Sequence, residues 1–112
     1  MNTIELLKKA IDLKKPISFE YNKEGKVKGE RIGNTHAVFI YAKTSWREDT
    51  KAHIVQTEWV TDSRDKSYFP EFWIFNIENI INVNILDDRE CFSIDDRYNP
   101  KREKYNNAIK KI

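Results

Sequence analysis

Polar and apolar positions change period along this chain, and the period predicts the elements. Ile4, Leu7 and Ile11, with Leu6, Ala10 and Leu13, recur at helical spacing, while Glu5, Lys8, Lys9 and Asp12 take the opposite face. Thr3 is the expected N-cap. Pro16 disfavours helical geometry at Lys15, so the helix should end at Leu13 or Lys14, where Lys14 and Lys15 meet the negative end of the helix dipole. From Pro16 the period falls to two. Ile17, Phe19 and Tyr21 alternate with Ser18 and Glu20, which predicts a strand. Asn22 to Gly25 reads as a turn, Val27 to Ile32 as a polar strand, and Gly33-Asn34 as a second turn. Ala37 to Lys43 is a continuous apolar run and predicts a strand buried on both faces. Polar Thr44 to Lys51 reads as a loop, and His53 to Trp59 alternates as another strand.

The most apolar part is Phe72 to Leu86, and the rest of the chain reads as built to cover it. Trp73, Phe75 and Ile77 alternate with Ile74 and Asn76 in a strand spanning Tyr68 to Ile77. Ile81, Val83 and Ile85 then alternate with Asn82 and Asn84, so the three aliphatic side chains are expected to point inward. Ile77 to Ile80 reads as a one-turn corner between the two strands. After Asp87-Asp88, a short extended piece is expected around Phe92 and Ile94. Asn99-Pro100 carries a helix-start signal, and Tyr105, Ala108, Ile109 and Ile112 fall on one helical stripe.

The expected fold is mainly β with flanking helices: a small five- to six-stranded antiparallel barrel of Sm-like or SH3-like form, capped by an N-terminal and a C-terminal helix. At 112 residues the chain is read as a single domain, with helix and barrel in 1–86 and an acidic linker and helix in 87–112. No apolar run is long enough to span a bilayer, and the N-terminus has no signal-peptide pattern. The single cysteine, Cys91, forbids an internal disulfide, which fits a reducing, cytoplasmic compartment. Net charge is only +2, but its distribution is uneven: residues 87–96 hold one basic and five acidic groups, and residues 97–112 six basic and one acidic. Such neighbouring blocks form an interaction surface or screen one another.

The chain offers little catalytic chemistry. His36 and His53 are its only histidines, and with one cysteine a zinc site would have to recruit carboxylates at no recognisable spacing. Asp87-Asp88 and Asp95-Asp96 lack a calcium-loop pattern. There is no phosphate-cradling glycine loop and no serine elbow. Neither a metal, a cofactor nor an enzymatic activity is expected. What remains is aromatic residues interleaved with basic ones: Tyr41, Lys43, Trp46, Arg47, Lys51, His53 and Trp59. Small antiparallel barrels bind single-stranded nucleic acid or nucleotides through such sets, with rings stacking on bases and cations following phosphates. The competing reading puts Tyr41 and Trp59 in the core.

Three blocks resemble the WYL domain, a small Sm-like or SH3-like barrel. A helix leads into Pro16-Ile-Ser-Phe-Glu-Tyr21 and a turn at Gly25. Val38 to Ala42 stands in the place of the signature strand, without the Trp-Tyr-Leu triplet. Phe75-Asn-Ile-Glu-Asn-Ile80 is similar to a Phe-x-Leu-Asp-Arg-Ile pattern, with Asn79 at the arginine. The resemblance covers about residues 4–86 and makes Arg31 the basic residue after the glycine turn. It implies a regulatory, ligand-sensing module of bacterial or phage origin, of the kind attached to transcription regulators and thought to bind nucleic acid or nucleotides. The expected ligand residues are Tyr21, Arg31, Lys43, Trp46, Arg47 and His53. The alternative is an accessory protein of phage or mobile-element type, docking a protein partner or forming a homodimer through Tyr105, Ile109 and Ile112.

Overall fold

The computed structural model describes residues 2–42, 48–59 and 69–112. The chain opens with α1 (Thr3–Leu13). Its N-cap is Asn2 rather than Thr3: the Asn2 side chain accepts from the Glu5 amide at 2.9 Å. The helix ends as expected at Lys14, which takes a left-handed conformation, its N–H reaching back to the Ala10 and Ile11 carbonyls. Leu7, Ala10 and Ile11 are buried, and Leu13 is exposed.

Six antiparallel strands follow, β1 (Ile17–Tyr21), β2 (Glu30–Ala42), β3 (Glu48–Trp59), β4 (Glu71–Asn76), β5 (Ile80–Ile85) and β6 (Ala108–Lys111). They form one open sheet in the order β4-β3-β2-β1-β5, with β6 on β2. A single 3₁₀ turn, Ile77–Asn79, joins β4 to β5 at opposite ends of that order, which is the corner the sequence predicts. One cluster of buried side chains packs α1 against the sheet: Leu7, Ile11, Phe19, Val38, Ile54, Phe75 and Val83 belong to it.

The expected loop at Thr44 to Lys51 gives way to β3 from Glu48 on, and three further expectations are corrected. Gly33-Asn34 is no turn: β2 runs unbroken through it for 13 residues. Gly33 is there because β3 lies too close for a side chain. A Cβ would stand 2.6 Å from Ile54 Cγ2 and 2.8 Å from the Val55 carbonyl oxygen. The pairing register also shifts beside it.

Ile81 does not point inward. It is exposed, while Ile80 and Val83 are buried. Opposite, Ser18 pairs with Asn84 and Glu20 with Ile81, so two residues of β5 face Phe19 alone. Asn82 supports this bulge with a φ of +55°, a conformation asparagine tolerates better than most residues.

The C-terminal helix is absent. Residues 103–105 make one 3₁₀ turn, and 108–111 form β6. β1 pairs with β2 only as far as Gly33, leaving the β2 edge beyond it open. β6 pairs there with Ala37 to Phe39. A helix would have left those backbone groups buried without partners. Ala108 and Lys110 lie half-buried and Ile109 and Lys111 exposed, a period of two in place of the helical stripe.

The sheet is therefore covered on both sides in its middle. Ala37, Val38 and Phe39 are all buried, as the apolar run predicts, but the double burial expected as far as Lys43 already fails at half-buried Ile40 and exposed Tyr41. The face opposite α1 is covered by the chain after β5, whose Tyr98 and Tyr105 pack with Ala37 and Phe39. His36 anchors this cover. Its Nε2 accepts from the Asp95 amide at 3.0 Å, and its backbone oxygen accepts from the Ile112 amide at 3.0 Å.

Candidate ligand-binding cleft

The cover stops short of the end of β2. On that face Phe39 stands opposite Lys51 of β3, and Lys51 opposite Asn76 of β4. Tyr41 stands opposite Asp49, and Ile74 opposite His53. Side chains paired across antiparallel strands share a face, so these residues form one surface. The 3₁₀ turn Glu103–Tyr105 lies over Phe39 and His53, with the Tyr105 ring 5.2 and 5.3 Å from theirs. Tyr41, Lys51 and Ile74 remain at its margin. Together with Phe39 and Lys104 they line a concavity of about 430 Å³. A second lobe, also of about 430 Å³, opens beside it between Ile40, Tyr41, Glu103, Lys104, Asn106 and Asn107. Tyr41 and Lys104 line both lobes, and the Tyr41 side chain is 44% exposed.

The two lysines are held differently. The Lys51 ammonium donates to Asn76 Oδ1 and lies 3.9 Å from an Asp49 oxygen. The Lys104 ammonium stands 5.8 Å from the Tyr105 ring centre. Burial, and then the neighbouring Arg102 charge, lower its pKa from the ordinary lysine value. On the far side of Asp49 the surface turns acidic, in a depression lined by Asp49, Thr50, Asn76, Ile77 and Glu78. An anionic ligand is therefore steered to the Lys51–Lys104 side.

The floor of the cleft is neutral. His53 is buried, and its Nδ1 shares a hydrogen bond with the Tyr105 hydroxyl. Burial, followed by Lys104, His36 and Arg102, lowers the His53 pKa to about 3. Burial also raises Tyr105 well above the usual phenol value, so the pair stays uncharged.

The residues expected from sequence divide sharply. Tyr21 and Arg31 come together, but inside the molecule. The Arg31 guanidinium is fully buried, donates to Gln56 Oε1 at 3.0 Å and to the Val27 carbonyl at 2.9 Å, and lies 5.7 Å from the Tyr21 and Phe75 ring centres. The Tyr21 hydroxyl accepts from the Asn76 amide at 3.0 Å. His53 lies beneath the cleft. Lys43, Trp46 and Arg47 fall outside the described residues. Of the C-terminal stripe, Tyr105 is buried, Ile112 packs against both buried clusters, and Ile109 alone is exposed.

Tyr41 and Lys51 are legible in sequence as part of the aromatic and basic set, and neither Tyr41 nor Trp59 belongs to the core. Trp59 is 56% exposed, but it stands opposite Arg31 at the other end of β3. Its eight residues from Lys51 correspond to roughly 26 Å of strand. Ile74, Glu103, Lys104, Asn106 and Asn107 had no sequence signal, because they join the cleft only when the C-terminal segment crosses the sheet.

Among the described residues, no group of three or more His, Cys, Asp or Glu side chains is placed to hold a metal ion. No described helix is long and apolar enough to cross a membrane. Fold and cleft thus define a small, mainly β unit with one helix, compatible with an SH3-like or Sm-like fold. No protein-family model matches the chain, and no curated protein matches it.

Proposed function

We propose that this protein is a non-catalytic binding module for single-stranded nucleic acid or a nucleotide-like ligand, seated on Tyr41 between Lys51 and Lys104. The observation that carries this reading is the exposed Tyr41 ring shared by two concavities, the first of which is also lined by Lys51 and Lys104. A ring of this kind stacks on a base, and the cations meet phosphate. Each lobe, at about 430 Å³, has the size of a small-ligand site. The resemblance to the WYL domain points the same way, towards a cytoplasmic regulator of transcription. In that reading the sheet closes into a barrel where the corner Ile77–Asn79 joins β4 to β5. Tyr21 and Arg31 then serve as its internal support rather than as ligand contacts.

Titration of a short, labelled, mixed-sequence single strand at two salt concentrations tests this. Affinity should fall with salt, because each neutralised phosphate releases condensed counterions. Lys104→Ala should reduce the log–log salt slope by roughly 0.7. Tyr41→Ala should leave the slope unchanged and cost about 1–3 kcal/mol. A parallel arm with a mononucleotide separates a free nucleotide from a strand as the ligand. Absence of binding by folded wild-type protein at low salt would overturn the proposal.

A second reading, an accessory protein that docks a partner or a second copy, draws on Ile109, exposed on β6. It expects Ile109→Asp to abolish self-association or partner capture while leaving single-strand binding intact.

A further inference from the structure

We infer that the second lobe reads the edge of the stacked base and discriminates against uracil and thymine. This rests on the binding reading above and adds a specificity to it. The lobe is chemically unlike the first. Its lining lacks Lys51 and adds Glu103, Asn106 and Asn107 to Tyr41 and Lys104. The Glu103–Tyr105 turn and the backbone bond from the Ile40 amide to the Asn107 carbonyl, at 3.1 Å, hold these added residues against the end of β2. The side chains of Glu103, Asn106 and Asn107 make no hydrogen bond among the described residues, so their polar ends are available to a ligand.

The donor and acceptor inventory decides which base fits. A carboxylate only accepts hydrogen bonds, whereas an asparagine amide offers both a donor and an acceptor and adapts to either. A base beside Glu103 must therefore present N–H groups. Cytosine, adenine and guanine each carry an exocyclic amino group that can donate to the carboxylate. Uracil and thymine carry none, and they flank their one ring N–H with two carbonyl oxygens, which a carboxylate repels. The phosphate of the same nucleotide goes to the first lobe, which Lys51 and Lys104 line and Glu103 does not.

Oligo-dC and oligo-dT of equal length test this. They match in charge and ring size, so counterion release and stacking largely cancel, and the amino group against the keto oxygen is the principal contrast. Wild-type protein should bind oligo-dC at least about fivefold more tightly, the scale of one good base-edge contact. Glu103→Gln should bring the ratio close to one, since an amide can turn either end to the base. Circular dichroism checks that this exposed substitution leaves the fold intact. Equal wild-type affinities would overturn the inference and leave the binding reading standing. A preference for oligo-dC that persists in Glu103→Gln would overturn the role given to Glu103. Binding of neither strand would overturn both.

Discussion

Asn82 carries a φ of +55°, and the facing of β5 follows from it. The bulge at Asn82 interrupts the period of two, so Ile80 and Val83 face the core and Ile81 faces solvent. Val83→Ala is expected to cost about 1–3 kcal/mol through lost burial and the cavity left behind. Ile81→Ala should stay within about 0.5 kcal/mol. Equal shifts of the two denaturant midpoints would contradict this register. Gly33 makes a second prediction at this scale. The atoms at 2.6 and 2.8 Å from its missing Cβ belong to a branched side chain and a backbone carbonyl of β3. Neither can move without disturbing the sheet, so Gly33→Ala should destabilise by about 1–3 kcal/mol, read from the same titration. An unchanged midpoint would show that the two strands can part at no cost.

The covering segment is the element on which pH should act. Both histidines lie beneath it, buried and neutral. His36 donates from Nδ1 to the Asn34 carbonyl and accepts at Nε2 from the Asp95 amide, so a second proton on the ring would break its hold on that segment. Burial lowers the His36 pKa from its ordinary value, against smaller upward pulls from the Asn34 carbonyl and the Asp95 carboxylate. His53 is lowered to about 3. In the unfolded chain both titrate near pH 6.5. Below that pH the unfolded chain binds more protons than the folded one, so stability should fall as pH drops from about 6.5 towards 3. The slope is at most about 1.4 kcal/mol per pH unit for each histidine. Urea midpoints at neutral pH and near pH 5 measure it, and a flat profile would contradict neutral burial.

At the scale of the whole molecule, the acidic and basic blocks of the C-terminal segment turn out to be stitched into the surface. Arg97 pairs with Asp95 and donates to the Pro70 carbonyl at 2.9 Å, Arg89 pairs with Glu58, and Lys110 pairs with Asp12. These pairs are wholly or partly exposed, so each contributes little to stability. Salt should therefore separate folding from binding. Raising ionic strength should move the melting temperature only slightly, while single-strand affinity falls linearly on a log–log scale. A melting temperature that drops steeply with salt would give the surface pairs a larger structural role. With no suitable ligand group among the described residues, a chelator is expected to leave the melting temperature unchanged, and a substantial drop would point to a bound metal.

Local chemistry was enough to read α1, the strand at Ile17–Tyr21, the turn at Gly25, the double burial of Ala37 to Phe39 and the corner at Ile77–Asn79. Each follows from a period or a stop signal a few residues long. Tyr41 and Lys51 were legible as members of an aromatic and basic set, but not as one wall of a cleft. Three things were decided only in three dimensions. Gly33 reads as a turn until β3 is laid against it. Ile81 reads as core until pairing with β1 fixes the bulge at Asn82. Ala108 to Ile112 fits the helical stripe better than a period of two, yet the open edge of β2 takes it as a strand because its backbone groups require partners. That last choice also carries Glu103, Lys104, Asn106 and Asn107 across the sheet to Tyr41. The cleft joins residues more than sixty positions apart, and no local pattern in the chain encodes that approach.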